Sequence, residues 1–226
     1  MKVCTDSCIF GAWIAHKIAG NLTPVFHVSQ IPNCLDIGTG TGLLSLMIAQ
    51  KNNVQIDGVE INRNAYEQAK ENFKISPWSK NLKALHGDAR NSVIKKYDLI
   101  ISNPPFYERD LKSGNEDKNI AKHDDGLNLD ELITIVKNDI ADKGYFSLLL
   151  PFHRAEHFKN IVENNGLYIN EELLIKQTPH HNYFRAIFLV SADAIKTISS
   201  TLVIKDANHN YTPEFIALLR DYYLNL

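Results

Sequence analysis

No stretch of this 226-residue sequence is long and apolar enough to span a membrane, which takes about 20 consecutive apolar residues. The apolar run from Cys8 to Ala15 faintly imitates a secretion signal. Asp6 interrupts its front, His16 and Lys17 close it early, and no cleavage site follows. Cysteine is scarce as well. Cys4, Cys8 and Cys34 are odd in number and lack metal spacing with histidine partners, so reduced thiols of a cytoplasmic protein are expected. Repeats and low-complexity tracts are absent. An excess of positive charge is missing too: 24 basic against 26 acidic residues leave a formal net charge of -2. A nucleic-acid partner would therefore need a local basic cluster rather than a global field. Lys112, Lys118 and Lys122, and Lys176, Arg185, Lys196 and Lys205, are candidates, although such runs are more often solvated faces.

What is present suits one α/β domain spanning residues 1–226: 44% of the chain is hydrophobic, enough for one sizeable core. Residues 34–37 read as a short strand. Gly38-Thr39-Gly40-Thr41-Gly42 follows directly, and residues 43–49 continue as a helix former, the opening of a Rossmann-like βαβ unit. Glycines at 38, 40 and 42 let the chain turn tightly and let a ligand approach the main chain. Their spacing is not that of a dinucleotide fingerprint, and no Lys-Ser/Thr follows to hold a pyrophosphate.

A second strand, residues 54–59, ends in Glu60, placed to take both hydroxyls of a ribose; the alternative is an ordinary solvated carboxylate. A helix over 63–73 and a strand over 82–87 lead to Asp88 and Ala89. Asp88 can accept from an adenine amino group or cap the next helix. Together with Asp36 at the end of the first strand, these carboxylates line the edge where open α/β sheets bind ligands. They suit a cationic nucleoside bearing a sulfonium and an α-amino group, and S-adenosylmethionine fits best.

The strand over 97–102 runs into Asn103-Pro104-Pro105-Phe106. A Pro-Pro step has no backbone N–H and fixed φ angles, so it forms a rigid corner with outward carbonyls. Beside it stand the Asn103 amide and the Phe106 ring. Together they suit a flat ring carrying an exocyclic amine, whose two N–H bonds the oxygens accept while the phenyl stacks on its face. Read alone, Asn-Pro is also a common turn opener and Phe106 a packing residue.

Asp36-Ile37-Gly38-Thr39-Gly40-Thr41-Gly42 with Asn103-Pro104-Pro105-Phe106 resembles the class I S-adenosylmethionine-dependent amino-methyltransferases. Lys2-Val3-Cys4-Thr5-Asp6-Ser7, Phe10-Gly11-Ala12-Trp13 and Tyr211-Thr212-Pro213-Glu214-Phe215 are similar to the bacterial tRNA1(Val) adenine-N6 methyltransferase family, over nearly the whole chain. The resemblance implies N6-methylation of adenosine 37, beside the anticodon, by a monomer whose partner is the tRNA anticodon loop, with neither metal nor membrane. It implies Asn103, Pro104, Pro105 and Phe106 at the reacting amine. It also implies a cofactor held by Asp36, Gly38, Gly40, Gly42, Glu60, Asp88 and Ala89, with Thr5 and Asp6, just ahead of the first helix, closing over its methionine end. That family carries residues upstream of the Lys-Val-x-Thr-Asp stretch on which this chain begins, so an N-terminal extension is expected to be missing. Guanine-N2 enzymes share Asn-Pro-Pro-Phe. Protein glutamine methyltransferases usually read Asn-Pro-Pro-Tyr, and a non-catalytic binding protein would have no need of Asn103.

For the rest, helices are expected over 10–19, 129–140, 153–164 (stopped by Asn165-Gly166) and 213–223, the last capped by Thr212 with Pro213 at its first position. Residues 107–128 read as a long polar loop. Strands are expected over 144–150, 168–175 and 184–190, the last two as an antiparallel hairpin. The sum is a Rossmann-like, seven-stranded, mostly parallel sheet with a reversed last strand. Gln177-Thr178-Pro179-His180-His181-Asn182 reads as a turn, with stacking or phosphate contacts next and metal binding a distant alternative.

Overall fold

Strands covered on both faces show no polar alternation, and Cys34-Leu35-Asp36-Ile37 and Leu99-Ile100-Ile101 are of this kind, with no residue more than 1% exposed. The computed structural model describes residues 4–20, 33–92, 95–104 and 127–225. Among them, β1 (Asn33–Ile37), β2 (Gln55–Glu60), β3 (Leu82–His86), β4 (Tyr97–Ser102), β5 (Ile140–Pro151), β6 (Tyr168–Lys176), β7 (Tyr183–Ser191) and β8 (Ile198–Val203) form one sheet ordered β3-β2-β1-β4-β5-β7-β6-β8. β7 runs antiparallel to both of its neighbours, β5 and β6. Every other pairing is parallel.

Pleating sends alternate side chains to opposite faces. Cys34 joins a core with Phe10 of α1 (Thr5–Ile18), Ile48 of α2 (Leu43–Lys51), Phe73 of α3 (Arg63–Ile75) and Phe215 of α7 (Pro213–Leu219). Leu35 and Ile37 join the opposite core, with Ala89 of α4 (Ala89–Ser92), Val136 of α5 (Leu129–Asp139) and Phe158 of α6 (Ala155–Asn164). Local signals set the helix ends. Asn128 and Glu131 form a reciprocal capping box at α5, and Thr212 Oγ1 accepts from Phe215 N at α7.

Several expectations need correction. The sheet has eight strands rather than seven, and the reversed strand is not the last in the chain, because β8 follows it and pairs parallel to β6. β8 is an edge strand with four exposed residues and Leu202 buried, so it lacks the apolar run that betrays an interior strand. The first helix begins at Thr5 rather than residue 10, so Thr5 and Asp6 form its first turn instead of preceding it. An acidic residue there suits the positive end of the helix. The last helix stops at Leu219, and a 3-10 turn (Phe152–Arg154) precedes α6. Most of the proposed 107–128 loop lies outside the described residues.

Candidate active site

The carboxyl ends of β1, β2, β3 and β4 converge at the point where the strand order reverses around β1, the place where such sheets bind ligands. The glycine turn leaves β1 and immediately crosses to β2: Gly38 N and Thr39 N both donate to the Val59 carbonyl, at 2.9 and 3.1 Å. Gly38, Gly40 and Gly42 all have positive φ, at 71°, 60° and 87°. At Gly42 space is decisive as well, since a Cβ would stand 2.4 Å from the Phe73 ring.

Two buried carboxylates hold this turn. Asp36 Oδ2 accepts from Thr39 Oγ1 and Ser45 Oγ, each at 2.7 Å. Its Oδ1 is buried without a hydrogen-bond partner among the described residues. Burial pushes the Asp36 carboxyl up to about 6, against the hydrogen bonds from Thr39 and Ser45. Glu60 Oε2 accepts from Gly40 N, and Oε1 from Asn62 N, both at 2.8 Å. It is 8% exposed, so it is not an ordinary solvated carboxylate. Two backbone N–H groups leave part of its acceptor capacity for further donors.

Asp88 takes the cap role and more. Its Oδ1 accepts from Arg90 N at 2.9 Å, and the Arg90 guanidinium grips both oxygens. The hydrogen bond from Arg90 holds the Asp88 carboxyl below its ordinary value. Arg90 also reaches Glu131 Oε1 at 3.1 Å, tying α4 to α5. Ile37, Gly38, Val59, Ile61, Gly87, Asp88, Ala89, Arg90 and Leu127 line a narrow slot. Its apolar walls and polar edge suit a flat heterocycle.

Asn103 stands just past β4. Its Nδ2 donates to Ser7 Oγ at 2.9 Å, and beside it Ser102 Oγ donates to the Ile37 carbonyl at 2.9 Å, fixing the end of β4 against β1. Pro104 follows. Pro105 and Phe106 lie outside the described residues, as do Lys112, Lys118 and Lys122. Thr5 and Asp6 line a larger cavity of about 370 Å³ with Gln177, Phe184, Ile204, Lys205 and Tyr211, and Asp6 Oδ2 accepts from Arg185 Nε at 2.8 Å. His181 Nδ1 lies 2.7 Å from Thr178 Oγ1 in a turn. Among the described residues no cluster of His, Cys, Asp and Glu suits a metal ion, and no helix is long and apolar enough to cross a membrane.

Sequence reasoning brought Asp36, Glu60, Asp88, Ala89 and Asn103 to one edge, and the structure gathers them there. It missed Ser7, Ser45, Ser102 and Arg90. Serines carry no motif of their own. Arg90, two residues after an acidic strand end, was the available hint.

Strand order, glycine turn and strand-end carboxylates are those of a class I methyltransferase. The family model described as methyltransferase small domain matches residues 1–167. A predicted O-methyltransferase from Agrobacterium tumefaciens has the same fold, with a TM-score of 0.69 at 14% identity, over 97% of this chain and 99% of that one. A tRNA1(Val) (adenine(37)-N6)-methyltransferase of Flavobacterium johnsoniae is 35% identical, covering 100% of this chain and 94% of its own. Another, of Cytophaga hutchinsonii, is 37% identical, covering 100% and 92%. The chain belongs to the tRNA1(Val) (adenine(37)-N6)-methyltransferase family.

Proposed function

We propose that this protein uses S-adenosylmethionine to methylate N6 of adenosine 37 in tRNA1(Val), acting as a single-domain monomer in the cytoplasm. One observation carries the reading: Asn103, at the open end of β4, has its Nδ2 engaged by Ser7, which leaves Oδ1 as the end of the amide available to an incoming amine.

The residues present fit the cofactor. Glu60 is already aimed by Gly40 N and Asn62 N, and its remaining lone pairs suit the two hydroxyls of a ribose. The slot beside Val59, Ile61 and Ala89 suits the adenine ring, with Asp88 and the Ala89 N–H at its edge. Asp36, with one buried oxygen lacking a partner among the described residues, favours cationic groups over a pyrophosphate. Thr5 and Asp6, immediately before Ser7, then close over the methionine end of the cofactor. When bound, S-adenosylmethionine supplies a methyl group on a positively charged sulfur.

The chain's own task is to make a poor nucleophile adequate. The lone pair of an adenine amine is delocalised into the ring, and no ordinary side chain can deprotonate it beforehand. Asn103 Oδ1 and the Pro104 carbonyl accept its two N–H bonds, turn the lone pair outward and favour the positive charge that develops on nitrogen. This is positioning plus fixed dipoles. Phe106, outside the described residues, is assigned by this reading to stacking on the base. The unpaired adenosine of an anticodon loop enters such a pocket at low unstacking cost.

The deciding experiment incubates the protein and labelled S-adenosylmethionine with total RNA from cells lacking this modification, then identifies the nucleoside and its position. N6-methyladenosine at position 37 of tRNA1(Val) is the expected result. Label on guanine N2 or on protein, or none at all, overturns the reading.

A further inference from the structure

Methyl transfer at Asn103 leaves the larger cavity unused. About 370 Å³ in volume, it is of a size that small ligands occupy. It opens where β6 and β8 end and β7 begins: Gln177 follows β6, Phe184 is the second residue of β7, and Lys205 stands just beyond β8. Asp6, in its wall, is the immediate neighbour of Ser7, which holds Asn103. The cavity thus adjoins the proposed catalytic corner, on the side away from the glycine turn in the strand order.

Its two rings each carry a cation, Lys205 from the lining and Arg185 beside it. The Arg185 guanidinium lies 5.4 Å from the Phe184 ring centroid, and Lys205 Nζ lies 5.2 Å from that of Tyr211. Lys176 sits over Tyr183 nearby, at 4.8 Å. The rings are held in place. Tyr211 stacks on Phe215 at 4.7 Å and pairs through its backbone with Lys205, while Arg185 is anchored by Asp6. Aromatic faces interleaved with positive charge are what single-stranded nucleic acid stacks on and tracks along. On a chain of net charge -2, such clustering is local rather than a by-product of composition.

We infer that this cavity receives the nucleobase next to the target adenosine, stacked against Phe184 and on the face of Tyr211 that Lys205 covers, with Lys205 turning to face the backbone phosphate. Drawing one base out of a loop unstacks its neighbour, and a second aromatic seat recovers that stacking on the protein. The inference rests on the proposed RNA substrate and adds a site to it.

The test is a binding cycle that requires no turnover. A synthetic anticodon stem-loop is prepared intact and in two abasic forms, lacking the base on the 5′ or the 3′ side of the target. Binding is followed by fluorescence anisotropy with S-adenosylhomocysteine present. For the unmodified protein, one of the abasic forms should bind about 5- to 100-fold more weakly than the intact loop. Phe184→Ala should weaken the intact loop by a similar factor and become indifferent to that missing base. Tyr211→Ala, at a 36% exposed position, repeats the cycle should Phe184→Ala fail to fold. Lys205→Gln should lower the slope of log affinity against log salt by about 1. If neither abasic form binds more weakly, if the variants suffer the full further loss, or if no RNA binds, the inference is overturned. A stem-loop that binds as expected yet is never methylated would instead sink the proposed reaction and leave the cavity's role standing.

Discussion

Ser7 Oγ and Asn103 Nδ2 lie 2.9 Å apart, joining the first turn of α1 to the residue just past β4, 96 positions later. An amide can present either its oxygen or its NH2 to a substrate, and only the oxygen assists an amine. With Nδ2 engaged, the useful orientation is the favoured one. Asn103→Ala should lower the methylation rate about 10²–10³-fold while S-adenosylmethionine still binds. Ser7→Ala, which leaves Asn103 in place, should lower kcat only about fivefold, the worth of one hydrogen bond. Single-turnover rates alongside calorimetric cofactor titration read both. An Asn103→Ala enzyme of near-normal rate would remove the mechanism.

Glu60 holds the glycine turn and, in the proposed reading, the ribose as well. Glu60→Ala strands the N–H groups of Gly40 and Asn62, and should destabilise the protein by about 1–3 kcal/mol. The same change should weaken cofactor binding at least tenfold. Glu60→Gln keeps one acceptor oxygen, so it should fall between the two in both urea melts and titrations. Unchanged cofactor affinity in Glu60→Ala would break the ribose assignment.

Asp36 gives the fold a pH signature. Its carboxyl is pushed from an ordinary 3.8 to about 6, chiefly by burial. Between these values the folded chain holds the proton more tightly than the unfolded one. Stability from this residue therefore declines as pH climbs from about 4 to 6 and is level above, a total near 3 kcal/mol. Asp36→Asn should remove that decline, visible as the difference between the two proteins' denaturation midpoints across the window. Binding of S-adenosylmethionine, by drawing the carboxyl back toward its ionised form, should release protons below about pH 6 in the parent but not in Asp36→Asn.

Gly42→Ala should cost about 2 kcal/mol, combining a φ of 87° that disfavours a side chain with a Cβ placed 2.4 Å from Phe73. Phe73→Leu alone creates a smaller core defect, but in the double variant the steric part should shrink. Equilibrium urea denaturation of the three variants decides. An additive double variant would show that the backbone angle alone is at fault.

The strand ends were legible because chemistry and periodicity coincide there: a polar residue such as Asp36, Glu60 or Asn103, set directly after a buried apolar run, marks where a strand opens onto the ligand edge. Thr212 and Pro213 announced α7 for the same local reason. β8 was not legible, since an edge strand such as Ile198-Ser199-Ser200-Thr201-Leu202-Val203 needs no apolar face on its outer positions. Long-range partners were hidden altogether. Lys17 and Glu171, 154 positions apart, form a buried ion pair between α1 and β6, and nothing in either segment names the other. Ser102 meets Ile37 only because β4 lies in register beside β1.

The cavity walls also come from segments far apart in the sequence: Thr5 and Asp6 close it from one side, Lys205 and Tyr211 from the other. During synthesis this cavity cannot form until Tyr211 has been added, long after Thr5. A nascent chain, whose earlier strands can already pair, therefore lacks this surface until that late segment has folded back onto α1.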